Sequence, residues 1–198
     1  MWTPLTRRIE NMTYTNLTNH FLIAMPGLHD PNFEKTVTYI CEHTSEHGAM
    51  GIIINSPLDI PMSEILEQLD IDHPISNLEN SIIYLGGPVS SDRGFVLHES
   101  TSRWDSTLVV KDGISITTSR DILQAIARGE GPEKRLMALG YAGWSPGQLE
   151  QELAANSWLS GPADNTIIFD QPASQRWQAA ASDLGVDLSL LSTETGHA

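Results

Sequence analysis

Residues 36–55 constrain the fold of this chain more than any other stretch. Thr36 to His43 alternates, so that Val37, Tyr39, Cys41 and His43 share one strand face and Thr36, Thr38, Ile40 and Glu42 the other. A polar turn, Thr44 to Gly48, separates it from Ala49–Asn55, which is apolar and β-branched as a strand buried on both faces would be. Two strands and a short turn predict an antiparallel hairpin, and Asn55-Ser56-Pro57 ends it.

Further strands are expected on both sides. Phe21-Leu22-Ile23-Ala24-Met25 is a short apolar run stopped by Pro26-Gly27, and Asp30 to Phe33 reads as a turn or a single helical turn. Strand patterns recur at 82–85, 94–98 and 107–110. Asp112-Gly113 joins Thr107–Val110 to Ile114–Thr117 as a two-residue hairpin turn. Leu136–Tyr141, Trp158-Leu159 and Thr166–Phe169 complete the strand set.

Helices are fewer. Met62, Ile65, Leu66 and Leu69 have helical spacing, followed by a polar loop over 70–80. Thr118 or Ser119 caps a helix reaching about Ala127, and Gly129 stops it. Ser145, Pro146 and Gln148 read as N-cap, first helical residue and capping-box partner of a helix ending near Asn156. Ser174–Leu184 is a final amphipathic helix with Trp177, Ala180, Ala181 and Leu184 on one face, before a polar tail from Ser192. Consecutive hairpins with few helices imply an α+β domain with a mixed, mostly antiparallel sheet and flanking helices. Residues 1–15 lack periodicity and are expected to be a flexible extension, with Met12 a second candidate start, ahead of one domain over 16–198.

Composition narrows the function classes. The net charge is −14, from 25 acidic and 11 basic residues. Such a chain repels phosphate backbones, and the basic residues are scattered, so direct nucleic-acid binding is not expected. No apolar run approaches the roughly 20 residues that span a bilayer. Arg7 and Arg8 are followed by no signal-type apolar stretch, and a single cysteine suits a reducing compartment, so a cytoplasmic location is expected.

An ordered set of motifs carries a resemblance. Leu22-Ile23-Ala24-Met25-Pro26, Asp30-Pro31-Asn32-Phe33, Tyr39-Ile40-Cys41-Glu42-His43, Gly48-Ala49-Met50-Gly51 with Asn55, Leu85-Gly86-Gly87-Pro88-Val89, Arg93-Gly94-Phe95-Val96-Leu97-His98, Thr118-Ser119-Arg120-Asp121 and Gly147-Gln148-Leu149-Glu150 resemble the bacterial AlgH/YqgE family. The likeness covers roughly residues 16–198. It implies a bifurcated sheet curled into a partial barrel, and it implies no reaction. Some members carry a transcriptional-regulator label tied to exopolysaccharide production. This chain has neither a basic face nor a helix-turn-helix to support it.

The chemistry-bearing residues fall into three groups. Cys41 is favoured as a small buried hydrophobe; a redox thiol and a catalytic nucleophile are the alternatives. His43 lies on the same face about 7 Å away, Cα to Cα, if the strand is regular. His43 and His47, with Glu42 and Glu46, have partial metal spacing but straddle the turn, and no metal is expected. Gly86-Gly87-Pro88 would let backbone approach a ligand or let a strand switch sheets; it lacks the Lys and helix of a phosphate loop. His98 is expected buried, beside Val96 and opposite Phe95 and Leu97. Asn55 is expected to bond its own backbone. Trp104, Trp144, Trp158 and Trp177 are expected to anchor the core or an interface.

The expectation is therefore a binding or regulatory protein acting through an unknown small ligand or protein partner. Its candidate pocket holds Cys41, His43, Asn55, Gly86, Gly87, Pro88 and His98. No catalytic residue and no cofactor is assigned. A Cys41-dependent hydrolase, transferase or redox sensor, and a purely structural interaction protein, are the alternatives.

Overall fold

The computed structural model describes residues 15–73, 78, 81–99, 101–111 and 113–191. The expected flexible start, the polar tail from Ser192 and Asp112 of the hairpin turn lie outside them. The described chain runs β1 (His20–Ala24), β2 (Val37–Thr44), β3 (Gly48–Ile53), β4 (Pro57–Leu58) and α1 (Met62–Gln68). It continues through β5 (Ile83–Leu85), β6 (Val89–Glu99), β7 (Thr107–Lys111), β8 (Ile114–Thr117) and α2 (Arg120–Ala127). It closes with β9 (Lys134–Trp144), α3 (Gln148–Ala154), β10 (Trp158–Pro162), α4 (Asn165–Phe169), α5 (Ala173–Asp183) and α6 (Leu188–Leu191). The fold is α+β, a curled half-barrel sheet flanked by helices, in the strand order β10-β1-β2-β3-β9-β6-β8-β7.

The sheet forks at β9. One edge of β9 pairs antiparallel with β6. The other edge is shared: Met137–Leu139 pair parallel with β5, and Ala142–Trp144 pair antiparallel with β3. Gly86 spans the gap, its N–H donating to Leu139 O and its carbonyl accepting from Ile53 N–H, both at 2.8 Å. Three backbones meet here with no room for side chains. A Cβ on Gly86 would lie 2.3 Å from Gly140 O, and one on Gly140, at φ +73°, would lie 2.4 Å from Gly87 O. Only glycine satisfies both demands.

Three apolar clusters fill the layers. Phe21, Ile23, Val37, Tyr39, Phe95 and Leu97 pack against α4, α5 and α6 through Ile167, Ala180, Ala181 and Leu188. Val96 and Met137, on the opposite face of β6 and β9, pack against Met62 and Leu66 of α1 and Ile122 and Ile126 of α2. Leu22, Ile40, Ala49 and Trp144 pack against Leu149 of α3.

Several elements differ from expectation. Thr166–Phe169 is not a strand but part of α4. The Asp164 carboxylate accepts the Thr166 N–H at 2.7 Å, and this N-cap with the burial of both Ile167 and Ile168 outweighs β-branched propensity. Ser174–Leu184 is not the last helix, because α6 follows it. Ser145 is not the N-cap of α3. Pro146 and Gly147 are the centre of a turn closed by Gln148 N–H to Ser145 O at 3.0 Å, with Gly147 at φ 79° as a type II turn requires. The reverse half of the box does form, since Gln148 Oε1 accepts the Ser145 N–H at 3.0 Å.

Candidate functional site

Cys41 and His43 do not share a face. The β2–β3 register pairs Ile40 with Gly51 but Glu42 with Met50, so one extra residue, Cys41, is inserted as a β-bulge. Before the bulge Tyr39 opposes Ile52 in the helix-α5 cluster; after it His43 opposes Ala49 in the helix-α3 cluster. Cys41 stays with Tyr39, 2 % exposed, its Sγ 3.8 Å from Tyr39 O. Burial, reinforced by the Glu42 charge, pushes its thiol far above the ordinary value, so no thiolate forms near neutrality.

His43 is equally buried and is held by the chain start and by α3. Its Nδ1 accepts the Leu17 N–H at 3.1 Å, and its own N–H donates to Thr18 Oγ1 at 3.0 Å. Because Nδ1 accepts, the neutral ring carries its proton on Nε2 and donates it to Glu150 Oε1 at 3.1 Å. His47 is exposed at the turn, with its N–H on Thr44 Oγ1. Among the described residues no three His, Cys, Asp or Glu side chains gather as metal ligands would.

The other sequence candidates are also spread through the fold. Asn55 does not bond its own backbone. Its Oδ1 accepts from Val37 N–H at 2.8 Å and its Nδ2 donates to Lys35 O at 2.9 Å, fixing the entry into β2, where Lys35 sits at φ 55°. Gly86 and Gly87 are buried in the sheet fork, and Pro88 is exposed beyond it. His98 lies across the fold, fully buried, its Nε2 2.9 Å from Thr117 Oγ1 and its ring 5.0 Å from that of Trp104. Burial lowers its pKa to about 4, so the ring is neutral at pH 7. None of the seven lines any of the four described clefts.

The most voluminous described cleft, about 580 Å³, lies between the β2–β3 turn, the start of β6 and the end of β9. Its wall is amphipathic. Phe95 and Tyr141 meet edge to face at 5.6 Å, and Met50 and Trp144 flank them. Arg93 stands over the Phe95 ring at 5.5 Å, and Glu42 opens onto the same cleft. Neither Arg93 nor Glu42 is ion-paired among the described residues. The bulge at Cys41 places Glu42 here, since it pairs with Met50 rather than following the regular alternation. A second irregularity places Arg93: Val89 pairs with Tyr141 but Gly94 with Leu139, so Ser90–Arg93 loop out of β6.

Trp144 is held rigidly. Glu152 Oε2 accepts both indole N–H groups, from Trp144 at 2.9 Å and Trp158 at 2.8 Å, while Gln148 Nε2 donates to Oε1 at 2.9 Å. Phe33 packs edge-on against Trp158 at 5.4 Å. Sequence reasoning missed Arg93, Tyr141 and Glu152, and weighed Glu42 only beside the His43–His47 pair. Arg93 had a signal, the polar Ser90-Ser91-Asp92-Arg93 run ahead of a clean strand; Glu152 had only its place on the inward side of α3.

Chemically the cleft can bind but holds no assembled nucleophile. Ser145 lines it, yet no hydrogen bond joins Ser145 to His47 or Glu42 among the described residues. It offers aromatic faces for stacking, one guanidinium and one carboxylate.

Comparison with known proteins agrees with the fold. A family model for AlgH-like proteins matches residues 21–189. A UPF0301 protein of Thioalkalivibrio sulfidiphilus is 58 % identical over 93 % of this chain and 98 % of its own length. One from Methylococcus capsulatus is 55 % identical over 91 % of this chain and 96 % of its own. The solution structure of AlgH from Pseudomonas aeruginosa superposes with a TM-score of 0.77 at 51 % identity, covering 96 % of this chain and all of that one. Protein DIP2367 from Corynebacterium diphtheriae shares the fold at 22 % identity, TM-score 0.69, over 91 % of this chain and 93 % of its own. The chain belongs to the AlgH-like family of bacterial UPF0301 proteins.

Proposed function

We propose that this protein is a non-enzymatic binding protein whose small-molecule ligand occupies the cleft formed by Met50, Phe95, Tyr141 and Trp144. The carrying observation is the pairing of an aromatic wall with two opposite charges, Arg93 and Glu42, that form no ion pair among the described residues, in a cleft where those residues assemble no nucleophile–base pair. Such clefts recognise ligands by a few placed polar groups over an apolar wall. A Cys41 hydrolase or redox sensor has little support, because the thiol is buried, protonated and on the face away from His43. A regulatory role would run through ligand occupancy rather than DNA contact, since a net charge of −14 repels phosphate. The buried lone thiol suits the cytoplasm, and among the described residues no helix is long and apolar enough to cross a membrane.

The test is a thermal-shift screen of zwitterionic and aromatic metabolites, followed by tryptophan fluorescence, which Trp144 reports directly. A true ligand raises the melting temperature of the native chain, and Glu42→Gln and Arg93→Gln each weaken it about tenfold or more. Loss of the shift in neither variant, or no shift from any compound at millimolar concentration, overturns the reading.

A further inference from the structure

A second cleft of about 400 Å³ lies on the far side of the Ser90–Arg93 loop, between α1, the start of α2, and β6 and β9. Its floor is apolar: Ile65 of α1 and Leu69 at the helix's C-cap, Leu123 of α2, and Met137 and Leu139 of β9. Its rim carries two guanidinium groups. Arg93 donates to Thr118 Oγ1 at 3.3 Å, and Arg120 donates to Asp70 O at 3.0 Å. Both bonds go to neutral oxygens, and neither arginine is ion-paired among the described residues.

Acidic residues outnumber basic ones 25 to 11 in this chain. The rim does hold one carboxylate, Asp92, so two positive charges face one negative. The site therefore offers a net positive mouth over a hydrocarbon floor. The exposed Leu69, at 37 % exposure, is apolar surface that an occupant would cover.

We propose that this cleft binds an amphipathic carboxylate, with the headgroup between Arg93 and Arg120 and the hydrocarbon chain on the floor between Leu69, Leu123 and Met137. Guanidinium groups bind carboxylates with planar, paired hydrogen bonds. Each buried methylene adds a constant increment to affinity. A free anion without a tail would gain nothing from the floor, and a tail without an anion would leave both arginines unanswered. Arg93 reaches the edge of both clefts, so occupancy here bears on the ligand site around Phe95 and Tyr141.

The test uses the full chain and the series hexanoate, octanoate and decanoate below micellar concentration, with decanol and decylamine as controls, read by calorimetry and by NMR shift mapping. Affinity is expected to rise about fourfold per methylene. Decanol and decylamine are expected at least about tenfold weaker than decanoate. Arg120 is exposed; Arg120→Gln should weaken decanoate about tenfold and leave decanol unchanged, whereas Glu42→Gln, in the other cleft, should leave decanoate unchanged. Shifts should map to Ile65, Leu123 and Met137. Absence of decanoate binding, equal binding of decylamine, insensitivity to both Arg93→Gln and Arg120→Gln, or shifts confined to Met50 and Tyr141 would each overturn the proposal. The last outcome would leave the aromatic cleft's own reading standing.

Discussion

Cys41 and His43 are two positions apart on one strand and lie on opposite faces of the sheet, because β2 bulges between Ile40 and Glu42. Regular alternation would have aimed both at one cluster. The bulge instead sends the thiol into the layer beneath α5, gives the imidazole to Leu17 and Glu150, and turns Glu42 toward the aromatic cleft.

The thiol is therefore expected to be inert in the folded protein. At pH 7.5 a disulfide-forming probe should label Cys41 at least about a hundredfold more slowly than it labels the urea-unfolded chain, the rate being set by opening rather than by chemistry. Cys41→Ala should cost about 1–2 kcal/mol of stability through the cavity it leaves. Labelling of native protein at the unfolded rate would show that the thiol is accessible.

His98 makes stability fall in acid. Its folded pKa, about 4, is below the ordinary value of 6.5, so the unfolded chain binds a proton that the folded one refuses. The contribution is complete above pH 6.5, is lost progressively as pH falls toward 4, and changes no further below that. Its full size is roughly 3 kcal/mol. Urea unfolding of the native chain and of His98→Gln from pH 4 to 8 measures it. The difference between the two should shrink across that window; a pH-independent difference would refute the assignment.

The sheet fork is expected to be intolerant of side chains. Gly140→Ala adds a Cβ within 2.4 Å of the Gly87 carbonyl at a residue with φ +73°. The cost should exceed about 3 kcal/mol or prevent soluble folding. Gly147→Ala, at φ +79° with nothing within 4 Å, bears only the backbone penalty, about 1 kcal/mol. Equal melting temperatures for the two variants would mean that crowding at the fork is relieved by movement of β5.

Glu152 anchors two indoles through one carboxylate oxygen. Glu152→Ala removes two charge-assisted hydrogen bonds and should destabilise by about 2–3 kcal/mol. It should also shift and broaden tryptophan emission, because Trp144 and Trp158 lose their common partner. Unchanged emission would show that the ring stacking with Phe33 alone fixes the pair.

How much could be read beforehand follows from the range of each signal. The β2–β3 hairpin, β7–β8, α1, α2 and the face shared by Val96 and His98 were legible, since alternation and helical spacing are local properties of a dozen residues. One of the local readings that failed, α4, shows the limit: Thr166-Ile167-Ile168 favours a strand until an aspartate cap and two-sided burial compete with it.

The site was less legible than the fold. His43 and Asn55 stand out in the sequence, yet their partners lie elsewhere in the chain: Leu17 and Glu150 for His43, Val37 and Lys35 for Asn55. Glu42, Arg93 and Tyr141 converge only because two strands depart from regular register, at Cys41 and at Ser90–Arg93. A register slip of one residue exchanges the faces of everything beyond it, and no pattern in the strand's own residues encodes where the slip falls.

By itself, then, the order of residues determined the acidic composition, the hairpin framework and the lone thiol. Those follow from composition and periodicity, which act at or near each residue. Tertiary structure alone decided that β9 should be shared by three partners, that the thiol and imidazole should part, and that Arg93 should stand between two clefts. Those depend on long-range pairing, where hydrogen bonds between distant strands select one arrangement among several that local sequence permits.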